Sequence, residues 1–367
     1  MINLSFFPSR RLAFYMVKLF LTRSLAVLFA LILVLETLDL LGEAGKILAV
    51  PGNGDAALWH YVALRVPILV SRFLPFSVLL GTLIAFVGLN QNSEVVAMKA
   101  AGLSAHQILA PLVLASIGIS AALFAFNEGV AVNSARVVNA WTDNDYKPIP
   151  PASGILGNVW LLVTDDLVRA GVISGHGRAM TLHQVSIYDR TGGVLQRVTN
   201  ADRATLDPSG GGWLLQNVQV YDASMNVVRR VPEMKALAGV NPEQFTIAKV
   251  DPTELDYWTL KTRIEELEAA GRPTDEARSG LAHKISQPLS ILLMPLLAAV
   301  AAFGLARAGQ VMVRAVIGMA LGFAYFIADN FSLAMGNAGA YSPLIAAWAP
   351  FFLFLLIGET VLVRTEE

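Results

Sequence analysis

The chain has 367 residues, 55% of them hydrophobic and 15% charged, with a mean hydropathy of +0.56; so few charges exclude a soluble globule of this length and mark an integral membrane protein. Lys and Arg number 27 against 28 Asp and Glu, a net charge of −1, which gives nucleic acid no electrostatic footprint to bind. Cysteine is absent, and with it disulfides, thiolate metal sites and thiol nucleophiles.

At the start, Phe6, Phe7 and Pro8 are mixed with Arg10 and Arg11, which suits a helix beginning at headgroup level on the basic side of a membrane. The apolar run of residues 15–41 is longer than the apolar core of a signal peptide, has no small-residue cleavage site behind it and predicts the first span. After a glycine-containing loop at 42–54, residues 59–89 predict a second span anchored by Trp59 and Tyr61, and residues 108–126 a third. Between the second and third lies a polar, small-residue segment at 91–104. It reads as one short helix at the membrane surface, with Ser93 as its cap, Gly102 as its left-handed end, and Val95 and Met98 on one apolar side; Glu94 and Lys99 are its charges. Such a helix, with a flat apolar face and one acid, suits docking into a groove on a soluble partner.

From Asn127 to about Gly280 the hydropathy collapses. Runs at 159–164, 181–188, 194–198 and 213–221 have strand character and are separated by Gly/Pro/Asp turns at 190–193, 207–212 and 222–226. Regular spacing of this kind predicts a sandwich or jelly roll. Asp251-Pro-Thr-Glu254 predicts a helix start, with Asp251 capping and Pro252 in the first turn, and Gly271 and Pro273 end that helix. Three further spans follow at 281–305, 311–335 and 343–363, the first kinked by Pro288 and Pro295. Arg10, Arg11, Lys18, Lys99, Arg307, Arg314 and Arg364 then fall on one side, the cytoplasmic one. The expected fold class is an α+β membrane protein with six transmembrane helices, three plus three, around an inserted extracytoplasmic β-jelly-roll or sandwich domain. Its divisions are 1–130 for the first three spans, including the coupling segment 91–104; 131–280 for the β domain with its helix at 252–270; and 281–367 for the last three spans.

No Gly-x-x-x-x-Gly-Lys-Ser/Thr occurs; Gly42-Glu-Ala-Gly-Lys46 has the wrong spacing. No nucleotide cofactor is therefore expected in this chain, and energy for active transport has to enter through a partner. His60, His106, His176, His183 and His283 lack metal-ligand spacing and read as surface or turn positions. Asp165-Asp166 and Glu265-Glu266 read as solvated charge, and no nucleophile-and-base arrangement stands out. Arg65 and Arg72 lie seven residues apart on nearly one face of the outer half of the second span. Arg65 alone reads as snorkelling to the interface; Arg72 either pairs with a carboxylate on a neighbouring span or faces a ligand, for which phosphates or carboxylates of a lipid head fit a guanidinium. Lys46 is the next basic candidate. Asp329 and Asn330 form a polar pair inside the fifth span, suited to hydrogen bonds across helices, and Asp329 is the residue an intramembrane hydrolase would use. Gly318 and Gly322 offer a small-residue face on the same span. In the β insert, alternation groups Trp160 and Leu162, with Ile187, Leu215 and Val220 as further members, on an apolar face that is either a closed core or an open groove.

Phe73-Leu-Pro75, Leu80-Gly81, Ser93-Glu94, Met98-Lys-Ala-Ala-Gly102, Asp251-Pro252 and above all Lys284-Ile-Ser-Gln-Pro-Leu-Ser290 occur in this order along the three-plus-three plan. In that pattern the whole chain resembles the lipopolysaccharide-export permeases (LptF/LptG), and within them the LptG type. The resemblance implies a non-catalytic, multi-pass subunit of the bacterial inner membrane that pairs with an LptF-type permease and an LptB-type ATPase dimer, the latter holding ATP and magnesium. It also implies an LptC/LptA-type periplasmic bridge and lipopolysaccharide as the cargo, drawn into a cavity lined by the first and fifth spans. On this reading Ser93, Glu94, Val95, Met98 and Gly102 couple to the ATPase. Arg72, Arg65 and Lys46 meet the lipid headgroup, and Trp160, Leu162, Ile187 and Leu215 form the acyl-chain path. One departure stands out: where the family implies basic residues near the outer end of the first span, this chain has Glu36-Thr-Leu-Asp-Leu-Leu-Gly-Glu43, with Lys46 the only base nearby. The alternative left open is a mechanotransmission-type permease or assembly factor whose outer domain signals rather than carries lipid.

Overall fold

Lipid offers no hydrogen-bond partner to a backbone N–H or C=O, so an apolar run that enters it must bond within itself, as a helix. In a computed structural model, which describes residues 8–148, 156–175, 177–207, 211–224, 226–242, 244–245, 250–269, 272–303 and 311–366, each of the six apolar stretches does so. Those long and apolar enough to cross a membrane are Arg10–Leu48, Asp55–Gln91, Ala105–Asp143, Asp275–Ala299, Val316–Asn337 and Pro343–Arg364. By element they are α1 (Arg10–Leu48), α2 (Asp55–Gln91), α4 (Ala105–Phe126) continued by α5 (Val132–Asp143), α7 (Asp275–Leu289) continued by α8 (Leu293–Phe303), α9 (Val311–Asn337) and α10 (Pro343–Glu366). The short α3 (Glu94–Ala100) joins α2 to α4, and α6 (Tyr257–Ala269) precedes α7.

Two of these helices carry irregular turns. A π-turn at Asn127–Ala131 lies between α4 and α5, and a 3-10 turn at Ser290–Leu292 lies between α7 and α8. The second sits between Pro288 and Pro295, as the predicted kink requires: Pro295 has no N–H to give the carbonyl one turn back. The first was not foreseen. Hydropathy falls at Asn127, but the helix continues to Asp143 because helix formation needs a periodic apolar row, not an apolar surface. Val132, Ala135, Val138 and Trp141 supply that row at three-residue spacing and are buried.

The chain divides into two units, one of Met1–Asp39, Val66–Ala131 and Arg272–Glu367, the other of Leu40–Arg65 and Val132–Gly271. The first is a helical bundle whose core includes Phe20, Leu79, Phe86, Leu112, Ile291 and Leu297. Small residues bring its helices together. A Cβ on Gly81 would lie 2.5 Å from the Ser24 backbone, and one on Gly322 would collide with Leu79, so Gly322 of the small-residue face foreseen on the fifth span packs against α2.

The second unit contains one six-stranded antiparallel sheet in sequence order: β1 (Leu156–Val163), β2 (Asp166–Ser174), β3 (Thr181–Thr191), β4 (Val194–Leu206), β5 (Trp213–Asp222) and β6 (Val227–Ala236). Gly192 and Gly193, both at positive φ, make the two-residue turn between β3 and β4. The sandwich or jelly roll expected from the sequence is thus a meander within a single sheet among the described residues. Its core face carries Val159, Val168, Ala170, Val185, Ile187, Trp213, Leu215 and Val220, and Val240 and Phe245 pack with it. Trp213 Nε1 donates to the Val240 carbonyl at 2.9 Å, which satisfies the only polar atom of a fully buried ring. Helix α6 begins later than predicted. Asp251 caps only a turn, through Thr253 N–H at 2.8 Å; the cap of α6 is Asp256, which accepts from the Thr259 N–H at 3.0 Å and the Thr259 hydroxyl at 2.6 Å.

Candidate functional site

The segment expected to meet a partner is a seven-residue helix, α3, and its first end is not built as predicted. Ser93 stands at φ 57 in the left-handed region and makes no capping hydrogen bond. The serine that caps is Ser104, at the start of α4: its Oγ accepts from Gln107 N–H at 3.2 Å, and Gln107 Oε1 accepts from Ser104 N–H at 3.0 Å. Gly102 does end α3 as foreseen, at φ 88, with its N–H on the Lys99 carbonyl at 2.9 Å and the Leu103 N–H on the Met98 carbonyl at 3.1 Å.

The larger correction concerns direction. Val95 and Met98 are buried in the chain's own bundle, so the apolar stripe fixes α3 in place and is not available as docking area. The outward face consists of Ser93, Val96, Ala97, Lys99 and Ala100. Glu94 is tied to α1, its two carboxylate oxygens accepting from Tyr15 Oη at 3.0 and 3.3 Å. Lys99 Nζ stands 5.2 Å above the ring of Phe303 at the end of α8. Arg307 lies outside the described residues.

The three basic headgroup candidates differ in their surroundings. Lys46 is paired on its own helix with Glu43 at 2.9 Å, and Glu43 also accepts from Tyr146 Oη at 2.7 Å. Arg65 is half-buried and has a partner within the chain. Arg72 is exposed on α2 and makes no hydrogen bond or ion pair among the described residues, so the carboxylate on a neighbouring span that would have explained it is missing. A guanidinium placed midway along an apolar helix with no protein partner requires water or an anionic ligand.

One residue before Arg72, the Ser71 carbonyl accepts from Gln287 Nε2 at 3.1 Å; Gln287 Oε1 accepts in turn from Asn127 Nδ2 at 3.3 Å, and Lys284 Nζ meets Glu128 Oε1 at 3.2 Å. The π-turn therefore meets α7: the turn supplies Asn127 and Glu128, and α7 supplies Lys284 and Gln287. Lys284 and Glu128 neutralise each other in a nearly enclosed pair, whereas Arg72 has no such counterion among the described residues. Sequence reasoning singled out Lys284-Ile-Ser-Gln287 but missed Glu128, because it follows the point where hydropathy ends.

The other side of α7 carries a second polar row. Ser279, His283, Ser286 and Ser290 recur at alternating spacings of four and three residues, and α9 offers Tyr325, Asp329, Ser332 and Gly336 at the same spacings. His283 Nε2 lies 3.0 Å from Asp329 Oδ2, Tyr325 is within hydrogen-bond reach of Ser290, and a Cβ on Gly336 would lie 2.8 Å from Ser279 Oγ. Rows running in opposite directions thus meet as a polar seam. His283, expected at a surface or turn, is an interhelical partner. Asn330 instead donates to the Phe326 carbonyl of its own helix at 2.8 Å. His106 pairs with Glu359 at 3.2 Å, and His176 lies outside the described residues. Among the described residues no group of three or more His, Asp or Glu could hold a metal.

In the β unit the four acyl-path candidates do not share a face. Ile187 and Leu215 are in the filled core, whereas Trp160 and Leu162 point outward, 42% and 60% exposed. The parity was readable and the side was not, because Val159 and Leu161 offer the opposite face an equally apolar pair. Trp160 stacks on Tyr188 at 5.9 Å and an interplanar angle of 19°, with the Arg169 guanidinium 5.8 Å from the Trp160 ring centre.

The family described as lipopolysaccharide export system permease LptF/LptG matches residues 14–364. Over 364 residues, 95% of this chain and 97% of the relative, the sequence is 26% identical to the lipopolysaccharide export system permease protein LptG of Escherichia coli K12. It is 21% identical to the LptG protein of Haemophilus influenzae over 323 residues, 86% and 89% of the two chains. The match reaches from the first turns of α1 to the last turn of α10 and takes in the sheet between them, so the chain belongs to the LptF/LptG family of lipopolysaccharide export permeases.

Proposed function

We propose that this chain is the LptG-type membrane subunit of an ATP-driven complex that extracts lipopolysaccharide from the inner membrane and passes it towards the outer one. An LptF-type permease is its membrane partner. An LptB-type ATPase dimer, which holds the ATP and magnesium, docks on the outward face of α3, and an LptC/LptA-type bridge receives the lipid from the β domain in the periplasm. The chain itself supplies binding and motion rather than catalysis. The division into residues 1–130, 131–280 and 281–367 follows this plan.

One observation carries the reading: Arg72, exposed on a membrane helix and without a hydrogen bond or ion pair among the described residues, is a planar donor fork suited to a phosphate. Gln287 fixes the backbone beside it, so the guanidinium projects from a positioned site. The test is a reconstituted complex with Arg72→Ala, Arg72→Lys and Arg65→Ala. A charge-assisted hydrogen bond contributes about 1.5–3 kcal/mol, so half-saturation of the ATPase by lipid should weaken about 10- to 150-fold in Arg72→Ala, less in Arg72→Lys and least in Arg65→Ala. Unchanged lipid stimulation in Arg72→Ala would remove the basis for the site.

A second reading is favoured by the sheet core, in which Ile187 and Leu215 are buried with their neighbours, as suits an outer domain that signals. Photo-crosslinkers at Trp160 and at Leu215 separate the two. Lipid captured at either position supports carriage, and silence at both during active release supports signalling.

A further inference from the structure

The hydrogen bond from Tyr15 to Glu94 joins residues 79 positions apart and ties the start of α1 to the first turn of α3. Helix α1 meets the bundle along one buried row, with Leu12, Leu19 and Leu21 packed against the core beside it. Its buried residues there are Met16, Phe20, Ser24, Leu28 and Glu36, on one row at spacings of four and eight residues, while Phe14, Leu25, Phe29 and Leu38 are all well exposed. A close approach is at Ser24, whose backbone lies against Gly81. Ser24 therefore acts as a pivot, and Tyr15 stands nine residues away, roughly 13 Å along the helix. A pull or release at Tyr15 acts on α1 at the end of a lever.

The tie is also open to competition. Tyr15 is 42% exposed, so a side chain from outside the chain can reach the carboxylate. Both carboxylate oxygens of Glu94 are used by one phenol, and a bidentate guanidinium needs both in its own plane. A phenol is the weaker donor of the two. A cationic side chain that engages Glu94 displaces Tyr15.

We propose that Tyr15 is a positioning residue that reports the state of Glu94 to α1: when a basic side chain of the ATPase partner takes the Glu94 carboxylate, the tyrosine is released and α1 becomes free to turn about Ser24. This rests on the proposed function for the identity of the partner, but the tie and the pivot belong to the chain alone.

The test uses the assembled complex in nanodiscs, with this chain spin-labelled at Phe14→Cys before assembly; the label is unique because the chain has no cysteine. In the otherwise unaltered protein, ATP should raise label mobility. Tyr15→Phe keeps the ring and removes the donor, so the label should be mobile without ATP, with the tied fraction reduced about five-fold relative to the released one, and lipid released per ATP should fall. Glu94→Gln keeps an acceptor for the tyrosine and removes the charge the partner needs, so the label should stay immobile with and without ATP. Loosening without ATP in Tyr15→Phe together with loss of the ATP response in Glu94→Gln establishes the relay, because a purely structural hydrogen bond, which the glutamine side chain still accepts, would leave the response to ATP as in the parent. Tyr15→Phe behaving as the parent in both mobility and release per ATP overturns it. If the parent complex hydrolyses ATP and its label responds but no lipid is released, the cargo assignment fails and the relay stands.

Discussion

Replacing Glu128 with glutamine should destabilise the bundle far more than any surface change, and the structure sets the size of the effect. Glu128 and Lys284 approach to 3.2 Å with only 18% and 12% of their side chains exposed. Removing one member of an enclosed pair costs about 3–5 kcal/mol, because the remaining charge has lost both its water and its counterion. The residual exposure places this pair near the lower bound, about 3 kcal/mol or roughly 150-fold in the folded-to-unfolded ratio. The assay is reversible unfolding in mixed micelles by SDS titration, followed through tryptophan fluorescence, on Glu128→Gln, Lys284→Met and the double variant. Each single change should lose most of that amount, and the double variant should return to within about 1 kcal/mol of the parent, because it buries no lone charge. A double variant as unstable as the sum of the two singles would refute the argument, since the residues would then act independently.

Two further expectations concern the β unit. Burial, and then the nearby Arg203, hold the His183 ring below its ordinary pKa of 6.5, so the folded state favours the neutral ring; stability is full above that value and is lost as pH falls through the lowered one. Thermal unfolding of this unit, read from Trp213 fluorescence between about pH 7.5 and 5, should show the loss, and His183→Gln should abolish it. Burial alone would raise the carboxyl of Asp256, but hydrogen bonds from the Thr259 hydroxyl and N–H outweigh it and hold the group below its ordinary 3.8. That stabilisation is present above 3.8 and disappears as pH falls below it. Asp256→Ala should cost about 1 kcal/mol, seen as faster amide exchange at the start of α6, while Asp256→Asn, which keeps one acceptor and loses the charge, should fall between the two near neutral pH.

The spans were legible in the sequence because an apolar run in lipid has one solution, a helix. Four strands were legible because they alternate and are bounded by turns. β2 was not, because its second half is buried without a break from Ala170 to Ser174 and shows no alternation. β6 was not, because its charges and Pro232 suit an edge strand, which is where it lies. Periodicity showed that Val95 and Met98 share a side, but not whether their neighbour is this chain or another. The polar contacts were hidden by distance along the chain: Glu128 and Lys284 are 156 positions apart and His283 and Asp329 46 apart. Each residue alone looks like a surface charge or a helix end.

The polar load on α7 has a consequence for how the protein is made. The stretch Asp275–Ala299 has a hydropathy of 1.2, the lowest of the six, and enters the bilayer carrying an ammonium, an imidazole and a row of hydroxyls. An isolated helix with a central Lys is penalised by about 2.5–3.5 kcal/mol on insertion. Ribosomal order decides which help arrives first: Ser71, Asn127 and Glu128 are already in the membrane when Lys284 and Gln287 emerge, whereas Asp329 has yet to be translated. The earlier helices can therefore receive α7 by its charged side, and α9 closes onto the remaining serine and histidine row when it follows. A chain cut short before Asp329 would keep its fourth helix inserted while exposing that row to lipid, a form suited to recognition by membrane quality control.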